Sequence, residues 1–77
     1  MHSTADIIQD IISIVSQNLN INHLSLDNNN GDGDYEINLP IELDIHQSTN
    51  IENMLTEKFV IKRFEVSTAH IFIKDII

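Results

Sequence analysis

The spacing of apolar positions changes several times along this chain, and each change predicts an element. From residue 4 to residue 19, Ile8, Ile11, Ile12, Val15 and Leu19 recur at i, i+3, i+4 and i+7, with Ile7 beside them. That is the period of an amphipathic helix. Ser3 stands at its N-cap position, and Asp6, three residues on, is placed to reach back as a short capping-box partner. Asp6, Asp10, Ser13 and Gln17 fall on the polar side. Between Ile21 and Asp27 the period shortens to two, Leu24 and Leu26 against His23 and Ser25, which predicts a strand. Asn28-Asn29-Asn30-Gly31-Asp32-Gly33-Asp34 is the densest turn signal in the sequence. Beyond it, Tyr35, Ile37, Leu39, Ile41, Leu43 and Ile45 alternate with Glu36, Asn38, Pro40, Glu42 and Asp44. This predicts one long strand with a buried face and a wet face. Pro40 cannot donate to a ladder, so the strand lies at an edge or bends there.

Thr49-Asn50-Ile51-Glu52 is a T-x-x-E capping box, so a second helix is predicted from Thr49 to near Lys58, with Ile51, Met54 and Leu55 as its stripe. Val60 to Val66 reads as a further strand, with Val60, Phe64 and Val66 in register. The tail fits two patterns. Ile71, Phe72, Ile73, Ile76 and Ile77 suit a last strand; alternatively Ser67 or Thr68 caps a final helix with Phe72 and Ile76 on one face. The β-branched side chains favour the strand. The expected fold is α+β, a single domain over residues 1–77. Its N-terminal helix packs on an antiparallel sheet, in the order α-β-β-α-β with a final strand or helix. The hairpin from Ile21 to Ile45 carries the clearest pattern. Its apolar face (Tyr35, Ile37, Leu39, Ile41, Leu43 and Ile45) is expected to meet Ile8, Ile11, Ile12 and Val15 in the core.

Composition and charge alter this picture. The core material is nearly all isoleucine: fifteen Ile against six Leu and three Phe, with no Trp. A domain of 77 residues buries only about 60% of its unfolded surface, so such a core is marginal. No Lys or Arg precedes Lys58, while residues 1–57 hold ten acidic side chains. The last twenty residues hold four basic side chains (Lys58, Lys62, Arg63 and Lys74) and two acidic ones (Glu65 and Asp75), and the whole carries a formal charge of −8. Such asymmetry concerns partners rather than fold: it disfavours nucleic acid as a direct ligand and favours a basic protein surface. With no Cys there is neither a disulfide framework nor a thiolate metal site. No basic n-region precedes the first helix, and no apolar run approaches the roughly 20 residues of a membrane span. A cytoplasmic location without membrane contact is expected.

Motifs for chemistry are few. Asn28, Asn30, Asp32, Gly33 and Asp34 fall at positions of a calcium-binding EF-hand loop, but the position that needs a bidentate Glu is Leu39, and a plain hairpin connection is expected instead. His2, His23, His46 and His70 show no zinc-ligand spacing. Nucleophile elbow, phosphate loop and Cys nucleophile are all missing, so no enzyme, no cofactor and no metal are expected. The acidic surface is the feature with functional content. On an eleven-residue strand, Glu36, Glu42 and Asp44 would share one face. With the turn acids Asp27, Asp32 and Asp34 they would form a spaced negative edge, comparable to the charge array of a nucleic-acid backbone.

In size, charge and α+β make-up the chain resembles the small acidic inhibitors that phages encode against host nucleases, anti-CRISPR and nucleic-acid-mimic proteins among them. That resemblance implies a non-enzymatic inhibitor of a basic, nucleic-acid-handling protein. Asp32, Asp34, Glu36, Glu42 and Asp44 would make the contact, with Asp6, Asp10 and Asp27 in support. A different class is a protein-protein interaction module, antitoxin-like, immunity-like or an assembly domain, held largely by apolar contacts. Homodimerisation through the Ile-rich C-terminal segment is compatible with either. A third resemblance is to acyl carrier proteins: Leu55-Thr56-Glu57-Lys58-Phe59 is similar to the end of their second helix, and Ser67-Thr68-Ala69 through Ile73-Lys74-Asp75-Ile76 to their last. Their prosthetic-group motif then falls on Asp44-Ile45-His46, which lacks the phosphopantetheine serine.

Overall fold

The computed structural model describes residues 3–28 and 33–76. Helix α1 spans Thr4–Leu19, strands β1 and β2 span Ser25–Asn28 and Tyr35–Asn38, helix α2 spans Ile45–Lys58, and strands β3 and β4 span Ile61–Ser67 and His70–Ile76. The strands form one antiparallel sheet in the order β1-β2-β4-β3. The fold is α+β as the sequence pattern implies, and its tail is a strand. No helix among the described residues is long and apolar enough to cross a membrane.

Helix α1 begins where Ser3 accepts a hydrogen bond from the Asp6 backbone N–H at 3.1 Å. It ends at Asn20, whose left-handed backbone (φ 53°, ψ 47°) lets its N–H reach the Ser16 carbonyl. Asparagine tolerates that conformation, and the closure satisfies a carbonyl the helix would otherwise leave free. The buried stripe is Ile7, Ile11, Ile14, Val15 and Leu19, rotated from the expected one so that Ile8 and Ile12 are only half-buried. Both stripes obey helical spacing; which one faces inward is settled by the sheet and by α2.

Helix α2 starts earlier than the Thr49 box implies. Asp44 is its N-cap: the Asp44 carboxylate accepts the Gln47 N–H at 2.8 Å, and the Gln47 side chain accepts the Asp44 N–H at 3.1 Å. This is the same reciprocal logic one turn upstream, with Asp and Gln in place of Thr and Glu. Ile51 and Leu55 are fully buried, and Phe59 closes the helix by donating its N–H to Leu55. Met54 lies outside the core and contacts Asn18 of α1.

The long alternating strand is corrected to four residues. Strand β2 pairs with β1 from Tyr35 to Asn38, and on its other side with β4 down to Asn38↔His70. There β4 ends, because its hairpin with β3 turns at Thr68 and Ala69. Leu39 still donates to the Ala69 carbonyl at 2.9 Å and Leu43 to the Thr68 carbonyl at 3.0 Å, so residues 39–43 strap the turn instead of extending the ladder. Pro40 has no N–H to offer there. Of the expected core face, Tyr35 and Ile37 are buried and Leu39 and Leu43 partly so, whereas Ile41 is exposed and Ile45 is 75% exposed at the start of α2.

Both helices lie on one side of the sheet. Tyr35 and Ile37 of β2 stand beside Ile73 and Ile71 of β4, and these four join the α1 and α2 stripes in a single core cluster. Ile71 and Ile73 are fully enclosed there, so this part of the C-terminal segment serves the protein's own core. Val60 precedes β3 and is largely exposed. The carrier-protein correspondence fails in the same region: the segment matched to a last helix forms the β3–β4 turn and β4, and Asp44-Ile45-His46 forms the start of α2.

Candidate functional site

With both helices on one face, no element among the described residues covers the other. Strand pleating decides what stands there. Pairing places Asp27 opposite Glu36, Glu36 opposite Phe72, and Phe72 opposite Glu65, a row that crosses all four strands. The adjacent row is Ser25, Asn38, His70 and Ser67. A third position pairs Lys74 of β4 with Arg63 of β3. Neighbouring strands lie about 4.8 Å apart, so Asp27 and Glu36 stand within reach of each other, and Glu65 lies two strand spacings beyond Glu36. On β4, His70 and Phe72 stack with ring centroids 6.1 Å apart and planes 17° from parallel. The open face thus has an aromatic pair on an interior strand, with carboxylates on either side.

The acids singled out in the sequence scatter over several surfaces. Asp27 and Glu36 meet on the open face. Glu42 is exposed in the strap over the hairpin turn, and Asp44 caps α2, so Glu36, Glu42 and Asp44 do not share a strand face. The reason is the early end of β2, which removes the pleat that would have aligned them. Asp34 is held by local hydrogen bonds: one of its carboxylate oxygens accepts the Asp75 N–H at 3.1 Å, and its carbonyl accepts from the Asn28 side chain at 3.0 Å. Asp6 is exposed in the first turn of α1. Asp10 forms an ion pair with Lys58 at 3.4 Å, so one cation from the last quarter of the chain does neutralise an N-terminal acid. That pair is half-exposed and worth little by itself. Asp32 lies outside the described residues.

Sequence reasoning missed Glu65, His70 and Phe72 as surface neighbours of Asp27 and Glu36. The alternation Ile71, Phe72, Ile73, Lys74 does mark Phe72 as off the core face, but only the register shows which acids flank it. Among the described residues no group of three His, Cys, Asp or Glu side chains could hold a metal ion. The Tyr35 side chain is buried, and that burial pushes its hydroxyl's pKa up from the ordinary 10.0 by disfavouring the phenolate. Comparison with known proteins finds no matching family model, no matching curated protein and no matching solved structure.

Proposed function

We propose that this chain is a non-enzymatic acidic binding protein that occludes a basic, nucleic-acid-handling surface of a partner protein in the cytoplasm, and that it docks through the open face of its sheet. The observation that carries this reading is the row Asp27, Glu36, Phe72 and Glu65. Like charges directly opposite across strands are destabilising, so the Asp27–Glu36 pair has a cost that a neutral pair would avoid. A basic partner turns that cost into complementarity, with rim charges speeding encounter. Phe72 and His70 supply the flat, partly apolar centre that such interfaces use as an anchor. The nucleic-acid-mimic character becomes a property of a sheet face, read across strands rather than along one.

The test is affinity capture from host lysate at low and at high salt, comparing wild type with the Asp27→Lys/Glu36→Lys variant. Wild type should retain basic nucleic-acid-handling proteins that elute as salt rises, and the variant should lose them. A control reversal on α2, Glu52→Lys, should leave capture intact. Unchanged capture and inhibition by the double variant would sink the proposal.

One observation favours the interaction-module alternative: Ile41 and Ile45 are exposed at and before the start of α2. An interface built on them would be apolar, and its complex would resist salt rather than weaken with it.

A further inference from the structure

Three of the four basic side chains of this acidic chain converge on one corner of the sheet. Lys62, Arg63 and Lys74 line a cleft of about 330 Å³ together with Asp75. Arg63 and Lys74 are direct cross-strand neighbours, a like-charge pair at a cost the fold could avoid by exchanging either for an acid. Among the described residues none of the three cations forms an ion pair, although Asp75 lines the same cleft. Protection of a sheet edge explains Lys62 and Arg63, which lie on the outer strand β3. Lys74 lies on the inner strand β4, one residue beyond its last β2 partner at Ile73, with Arg63 opposite it on β3.

The local backbone contributes to the cleft. The β3–β4 ladder runs through Arg63↔Lys74 and resumes at Ile61↔Ile76, omitting Lys62 and Asp75. Asp75 has φ 56°, and its N–H is turned away to the Asp34 carboxylate at 3.1 Å. Consecutive strand residues ordinarily point to opposite faces. At this break Lys62 and Arg63 both border one cleft.

We propose that this corner binds the phosphate group of a small ligand. A guanidinium offers two parallel donors to phosphate oxygens, and the ammonium groups add charge without demanding one geometry. The volume is at the low end for small-molecule sites, which suits a phosphate with little attached to it. The site lies at the Arg63–Lys74 end of the open face, next to the row that holds Glu36, Phe72 and Glu65, and takes the opposite charge.

The test is an NMR titration of the full chain with inorganic phosphate, ribose 5-phosphate and adenosine monophosphate in separate arms, ionic strength being held constant with sodium chloride. Saturable shifts confined to the amides of Lys62, Arg63, Lys74 and Asp75 are expected. The tightest arm tells free phosphate from a phosphate monoester. Lys74→Gln should weaken binding at least tenfold. Arg63→Lys keeps the charge and should still weaken it severalfold, through loss of the fork. Asp75→Asn suits a positive φ and removes the nearby carboxylate, so it should bind severalfold tighter. Shifts that never saturate and match those from chloride alone, or equal affinities in wild type and Lys74→Gln, overturn the proposal.

Discussion

At the scale of single residues, two backbone positions test how tightly the sheet is assembled. Gly33 lies against the end of β4, its carbonyl accepting the Ile76 N–H at 3.0 Å. A methyl group there would stand 2.7 Å from the Ile76 oxygen and 2.9 Å from its nitrogen. Both are backbone atoms, so the strand itself would have to move. Gly33→Ala should cost about 1–3 kcal/mol in urea unfolding, the usual range for forced overpacking. Thr68 presents the opposite case. Its φ of 53° puts a β-branched side chain in the left-handed region, where strain is of order 1–3 kcal/mol. The Leu43 N–H bonded to its carbonyl helps hold it there. Glycine relieves that strain but adds about 0.5–1 kcal/mol of unfolded-state entropy. Thr68→Gly should therefore gain roughly 1 kcal/mol, seen as a melting temperature about 4–8 °C higher. A lower melting temperature would show that the turn is unstrained.

At the scale of elements, the start of α2 is where pattern and structure part, and a pair of substitutions separates the two boundaries. Asp44→Ala removes the carboxylate that accepts the Gln47 N–H and should cost about 1 kcal/mol. Thr49→Ala, at an exposed helix-interior position, should cost nothing or stabilise slightly, since alanine is the better helix former. The reverse order of effects would move the boundary back to Thr49. The reason the sequence misleads here is physical. Leu39 to Ile45 keeps the period of a strand, but a strand lasts only as long as its partner, and β4 stops at His70. Patterns report what a segment tolerates, and pairing partners lie elsewhere in the chain. The same limit explains the candidate site. Helix α1, the presence of β1 and β2, the α+β class and the final strand were legible from local spacing and β-branched content, but the end of β2 was not. The meeting of Asp27, Glu36, Phe72 and Glu65 was not, because it depends on the register of three strand pairs.

At the scale of the whole molecule, both layers carry acids, and the helix layer has fewer cations to offset them. The helices carry Asp6, Asp10, Glu52 and Glu57, with Asp44 at a cap and only Lys58 in return, whereas the strands hold Lys62, Arg63 and Lys74 beside Asp27, Glu36, Glu65 and Asp75. A formal charge of −8 is confined to 30 × 20 × 19 Å, and against the single ion pair found among the described residues stand the like-charge cross-strand pairs Asp27–Glu36 and Arg63–Lys74. Self-repulsion of this kind weakens a compact state. At about 0.01 M salt the screening length is about 30 Å and spans the molecule; at about 1 M it is about 3 Å, and only touching charges interact. Sodium chloride across that range should therefore raise the melting temperature of the free protein by several degrees. The same salt should weaken its complex with a basic partner, because there the long-range terms are attractive. Opposite signs in the two experiments are the signature expected of a fold that tolerates its own repulsion for the sake of a partner. A melting temperature that falls with added salt would mean that local pairs such as Asp10–Lys58 outweigh the net charge, and would remove the energetic basis for reading the acidic surface as a docking surface.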